Sequence, residues 1–441
     1  MKKLVIAGTL FFAVSIAGCK GSVGGFGSSG LPPLQPAVQG KHFKHIVVIV
    51  QENRTFDNLF ATFPGADGAT KGKTRHGTIP LHEADLGGSV APNNGHQYFL
   101  RDLDGGKMDG FAGVPIGNVP GSYVYQYVNP SQIAPYWALA RQYVLADHFF
   151  QTQGSGSFTA HQDLIAAGTQ VDATHSLIDF PTALPWGCDA PPGTVTSLVT
   201  KTGLELPNQG PFPCLSYRTL RDSLDAAGVS WRYYTPAGND LGGAMWSAFD
   251  AIAAVRHGPE WGKNVAWPET LVFDDIKDGT LPDVSWVIPD YANSDHPGNH
   301  SGTGPSWVAQ VVDAVGESKA WNTTAIVIVW DDWGGWYDHV VPPKPYASGG
   351  LGFRVPAIVV SPYAKKGYVS HEQYEFGSIV RFIEDNWNLP QLGTTDVRSS
   401  DFLSDFFDFA QPPRAFVPIA APYGLDFFER QRPSGKPVDD E

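Results

Sequence analysis

Ile46 to Val50 are five consecutive β-branched residues, and the run ends abruptly at Gln51-Glu52-Asn53-Arg54. β-Branching disfavours a helix, and an unbroken apolar run has no face to give to water. The stretch therefore reads as a strand buried on both sides, as the central strands of a parallel sheet are. Ligands of open α/β sheets bind beyond the carboxyl ends of the strands, which is where Glu52 and Asn53 stand. Their hard oxygens suit a divalent cation, or a phosphate held through one. A plain polar exit from the strand is the competing reading.

The remaining apolar runs repeat the pattern. A helix is expected over Tyr217–Gly228, a strand over Val229–Tyr234 and a helix over Trp246–Arg256. Further strands are expected over Leu281–Pro289, Ala325–Trp330 and Val355–Ser361, with helices over Ser306–Gly316 and Gly377–Trp387. Val144–Phe150 is expected to return to the sheet, and Phe63–Gly95 to be loop, since its Pro-Gly, Asp-Gly and Gly-Gly pairs break any period. Strand and helix alternating without an internal repeat predict an α/β fold with a mostly parallel central sheet flanked by helices.

The 441 residues carry a formal charge of −14, which argues against a nucleic-acid-binding surface. Lys2 and Lys3 precede a short apolar stretch, Leu4–Ile16, too short to span a bilayer. Ile16-Ala17-Gly18-Cys19 resembles the lipobox of bacterial lipoproteins. Residues 1–18 are therefore expected to be a signal peptide and Cys19 a lipidation site. Residues 19–40, rich in Gly, Ser and Pro, read as a flexible tether, and 41–441 as one domain. An exported chain, lipid-anchored to a bacterial membrane, keeps its cysteines in an oxidising compartment, so Cys188 and Cys214 are expected to pair.

In Gly154-Ser155-Gly156-Ser157-Phe158-Thr159-Ala160-His161, small residues lead into an apolar-periodic segment. This puts a hydroxyl at a helix N-terminus, where backbone N–H groups favour an anion. Ser157 is a candidate nucleophile with Ser155 as a competitor, and a helix-capping serine would look almost the same. Thr159 in the following position but one rules out the Gly-x-Ser-x-Gly elbow. After Ala325–Trp330 come Asp331 and Asp332, adjacent acids that are costly to bury together unless a cation compensates. Glu52, Asn53, Asp331 and Asp332 would make an oxygen-rich site for Ca²⁺, Mg²⁺ or Mn²⁺. Two solvated turn acids are the alternative.

ENRTFDNLF, GGKMDGF, GSGSFTAHQ, SDHP and WDDWGGWYDHV occur in that order, and together they resemble the signature blocks of bacterial acid phosphatases and non-specific phospholipases C. The resemblance covers about residues 44 to 390 and implies an alkaline-phosphatase-like α/β fold. It implies metal-dependent hydrolysis of phosphate esters through a phosphoserine. Glu52, Asn53, Asp331 and Asp332 match the family's metal positions and Ser157 its nucleophile. His96 and His296 match histidines that contact the phosphate or the leaving group. His161 and His339 fall in matching blocks as substrate-contacting or supporting residues. Thr55 replaces a common Ser, and Ser155-Gly156-Ser157 replaces Gly-Pro-Ser. The expected substrate is a small phosphate monoester, with phospholipid diesters as the alternative. Two other readings compete: a metal-free acyl hydrolase using Ser157, a histidine and Asp338, and a non-enzymatic surface module whose many Trp and Tyr residues bind glycan or cell wall.

Overall fold

The computed structural model describes residues 39–432 apart from 89, 238–240 and 345–347. The expected signal peptide, Cys19 and nearly all of the tether lie outside them. The main sheet has eight strands. In chain order they are β1 (His45–Gln51), β2 (Val144–Ala146), β3 (Trp231–Tyr234), β4 (Val265–Ala266), β5 (Val284–Val287), β6 (Thr324–Trp330), β7 (Ala357–Val360) and β8 (Tyr368–Ser370). Across the sheet they run β4-β3-β5-β1-β6-β7-β2-β8. β1 is parallel to both neighbours, and β7 alone runs against its neighbours β6 and β2. The fold is α/β with a mostly parallel sheet.

All residues of β1 and β6 are buried, as unbroken β-branched runs require of strands covered on both faces. Their register is what builds the site. His45 pairs with Thr324 and Gln51 with Trp330, so the two strands end level and deliver Glu52 and Asp331 side by side. The 304–317 and 134–142 helices pack against each other and on the sheet, whereas the 157–166 and 376–387 helices pack against each other and on the strand Phe149–Thr152 outside it. The first buries Trp307, Val308, Val311, Val312 and Val315.

Some local expectations fail for identifiable reasons. Trp246–Arg256 is not one helix: a 3₁₀ turn over Ala248–Ala251 and a short helix over Ala253–Arg256 are separated by Ile252. The backbone of Ile252 is extended there and bridges to Leu215. Phe63–Gly95 is not all loop, because Lys71–Thr74 and Gly77–Pro80 form an antiparallel hairpin. Val144–Phe150 splits between two sheets: β2 lies in the main one, while Phe149–Thr152 pairs with Leu351–Arg354 in a smaller one. Cys188 and Cys214 form a disulfide. No described helix is long and apolar enough to cross a membrane.

Candidate active site

The chain leaves β1 through Glu52 and Asn53, both fully buried. Asn53 has φ of 57°, a left-handed conformation that Asn tolerates better than most residues. The turn directs its amide N–H to Asp331 Oδ1 at 2.8 Å. Gly334 makes the close approach possible, because a Cβ there would lie 2.3 Å from the Asn53 carbonyl oxygen. Its N–H in turn donates to Asp332 Oδ1 at 2.6 Å. Asp331 and Asp332 are buried, which excludes the reading as solvated turn acids.

His161 faces this pair from the 157–166 helix, its Nε2 being 2.8 Å from Glu52 Oε1 and 3.9 Å from Asp331 Oδ2. Glu52, His161 and Asp331 thus form a buried group with the spacing of metal ligands. Asp331 Oδ2 and both side-chain polar atoms of Asn53 are buried without a hydrogen-bond partner among the described residues. Orphaned oxygens of this kind are costly in an interior and are what a bound hard cation would satisfy. The donor set fits such an ion.

Ser157 is the first residue of its helix, and Gly156, not Ser157, occupies the capping position. Its hydroxyl donates to Asp332 Oδ2 at 3.2 Å instead. Ser155 is engaged elsewhere: its Oγ accepts the Asp179 N–H at 2.6 Å. Asn94, whose role the sequence did not reveal, donates through Nδ2 to both Asp332 oxygens at 3.0 and 3.2 Å. Two residues on, His96 opens the 96–103 helix and sets its Nδ1 2.5 Å from the Gly154 carbonyl oxygen. His296 Nδ1 lies 2.8 Å from the Pro297 carbonyl oxygen, and Trp246 packs between the His296 and His161 rings at 6.1 and 6.4 Å. Ser294, two residues before His296, accepts the Glu52 N–H through its carbonyl at 2.8 Å.

His339 belongs to a different cluster. Its Nδ1 is 2.7 Å from Asp57 Oδ2 and its Nε2 is 3.3 Å from Asp67 Oδ1. Burial opposes its protonation, but the Asp57 and Asp338 carboxylates outweigh that and raise its pKa above the usual value. Arg354, fully buried, donates to both Asp338 oxygens at 2.9 and 3.1 Å and to Asp57. Asp57, Asp338 and His339 also have the spacing of metal ligands, but the guanidinium already supplies their countercharge. These contacts join the Glu52 loop to the Asp332 loop from behind: Thr55 Oγ1 donates to the Tyr337 carbonyl, and the His339 N–H to Asp57. With Asp338 committed to Arg354, and Ser157 paired with a carboxylate, the geometry of a serine–histidine–aspartate acyl hydrolase is not formed. Most of the tryptophans are core rather than binding surface: Trp231, Trp246, Trp286, Trp307, Trp330, Trp333 and Trp336 are all buried, whereas Trp267 is exposed.

Buried acids, an amide and a hydroxyl gathered at the exits of an α/β sheet suit a hydrolase of phosphate ester bonds, the class to which the family match assigns the chain. The chain belongs to the Phosphoesterase family, whose model matches residues 43–390. It is 26% identical to phospholipase C B of Mycobacterium tuberculosis, over 85% of this chain and 79% of that one. It is also 26% identical to the non-hemolytic phospholipase C of Burkholderia pseudomallei, over 90% of this chain and 63% of the relative. Among solved structures, an alkaline phosphatase superfamily protein from Vibrio parahaemolyticus aligns with 84% of this chain and 73% of its own. That alignment has a TM-score of 0.36 and 11% identity.

Proposed function

We propose that the chain hydrolyses phosphate monoesters through a phosphoserine at Ser157. The observation that carries this is the Ser157 hydroxyl held 3.2 Å from the buried Asp332 carboxylate, beside the acid–amide group at the exits of β1 and β6. Glu52, Asn53, Asp331 and Asp332 would hold one hard divalent cation, Ca²⁺, Mg²⁺ or Mn²⁺, with His161 beside them. When bound, the cation supplies positive charge opposite the non-bridging phosphate oxygens.

Ser157 Oγ attacks phosphorus in line, a P–O bond forms at the serine, and the bond to the alcohol breaks. The serine proton passes toward Asp332 Oδ2, which the hydroxyl already faces. Asn53 Nδ2, with no hydrogen-bond partner among the described residues, is free to donate to an equatorial oxygen as charge develops there. His296, or else His96, protonates the departing alcohol oxygen. Water then attacks phosphorus and gives its proton to the histidine that protonated the alcohol, while the Ser157 Oγ–P bond breaks, Oγ takes back the proton held by Asp332 and phosphate leaves.

Ser157→Ala is expected to lower turnover of an aryl phosphate by at least about a thousandfold while the thermal unfolding curve is kept. Near-normal activity in that variant would remove Ser157 from the reaction. The names of the relatives support a second substrate class, phospholipid diesters. Release of diacylglycerol from phosphatidylcholine would select it, and phosphate release from small monoesters alone would select the first. Export with a lipid anchor at Cys19 belongs to the same proposal, and the Cys188–Cys214 disulfide supports a non-reducing compartment.

A further inference from the structure

The Ser157 helix bears an aromatic stack that the proposed chemistry does not use. Phe158, the residue after the serine, meets the Trp186 ring edge-on at 5.9 Å. Trp186 in turn lies flat against Phe180, with centroids 5.5 Å apart and planes 6° from parallel. Phe180 rests directly on the backbone before the serine: a Cβ on Gly156 would come within 2.6 Å of its ring, so only glycine lets the ring lie there. Phe158 and Trp186 are buried, whereas Phe180 remains partly open to solvent.

This wall is held rigidly. Asp179, which precedes Phe180, has φ of 56° and is pinned from two sides of the site. Its N–H donates to Ser155 Oγ, and its carboxylate accepts the His96 N–H at 2.6 Å. Trp186 is fixed by its own N–H to the Ala244 carbonyl at 3.0 Å, and the disulfide at Cys188 follows two residues later. A partly exposed ring held in place beside a nucleophile and a histidine can meet an alcohol with no ordering cost of its own.

We infer that Phe180, backed by Trp186, is the subsite for the alcohol part of the substrate, and that it takes an apolar or aromatic alcohol. The inference rests on the phosphoesterase reading above. The Asp179 carboxylate already accepts the His96 N–H, so the part of this wall left to meet an alcohol is the Phe180 ring. Face-to-face or edge contact with such a ring is a recognised source of binding energy.

The test compares kcat/KM for 2-naphthyl phosphate, glycerol phosphate and phosphocholine in the unaltered protein, Phe180→Ala and Phe180→Trp. In Phe180→Ala the naphthyl-to-glycerol ratio is expected to fall about tenfold, chiefly through KM, and Phe180→Trp is expected to retain it. A ratio unmoved in Phe180→Ala, or a loss confined to phosphocholine, would overturn the subsite while leaving the phosphoesterase reading in place. Inertness of the unaltered protein toward all three esters would overturn that reading and the subsite with it.

Discussion

The Asp332 carboxylate is oriented from three directions, by the Asn94 side chain, the Gly334 N–H and the Ser157 hydroxyl. Asn94 is the neutral, removable member of that set. Groups that orient a ligand typically govern affinity and activity by about 10- to 100-fold, and Asn94→Ala is expected to lower kcat/KM within that range. The same variant should need a higher cation concentration for half-maximal activity while its unfolding midpoint moves little. Unchanged cation dependence would mean that Asn94 merely fills a loop. Glu52, Asn53, Asp331, Asp332 and Ser157 were legible in the sequence because each interrupts an apolar run or opens a helix. Asn94 was not, since an asparagine in Asn-Asn-Gly reads as a turn, and its partner is 238 positions away. His339 was expected either to touch the substrate or to support the site. It stands in the right block but faces Asp57 and Asp67, and nothing in the spacing marks which side of the loop it takes.

Elements with strong periodicity were legible to within a few residues, as the helices 304–317 and 376–387 and the strands β1 and β6 illustrate. What failed depends on distant pairing: the break at Ile252 answers to Leu215, and the antiparallel sense of β7 leaves no trace in an apolar run. The 376–387 helix also carries a testable liability. Glu384 is buried, its Oε1 accepts the Leu392 N–H at 3.0 Å, and the Asp396 carboxylate lies close to it. Burial first, and then the neighbouring Asp396 charge, push its pKa from 4.5 up to about 8. The folded chain therefore holds a proton that the unfolded chain has released. The stabilisation from this group is complete below pH 4.5 and disappears as pH rises through about 8. Glu384→Gln keeps an acceptor for Leu392 and cannot ionise. It is expected to raise the unfolding midpoint at pH 8 and to leave it nearly unchanged at pH 5. An equal effect at both pH values would show that the carboxyl does not titrate in this window.

On the scale of the whole molecule, the parallel register of β1 and β6 levels their ends and gathers Glu52, Asp331 and Asp332 where water does not reach. Convergence of this kind was legible, because a parallel sheet brings its strand exits to one edge whatever their separation in sequence. It has an energetic consequence: like charges brought together in an interior repel, and the folded state carries that cost unless an ion offsets it. An ion that binds only the folded chain adds about 2.7 kcal/mol when present at 100 times its dissociation constant. Exhaustive chelation is therefore expected to lower the unfolding midpoint by a few degrees and to abolish turnover, with both restored by adding back a divalent cation. Glu52→Gln should separate the two roles of the site. It removes one of the repelling charges, so under chelation it should unfold at a higher temperature than the unaltered protein, yet remain inactive when the cation is returned. A midpoint indifferent to chelation, together with a Glu52→Gln protein that is less stable in chelator, would mean that these carboxylates are held by the protein's own hydrogen bonds and not by an ion.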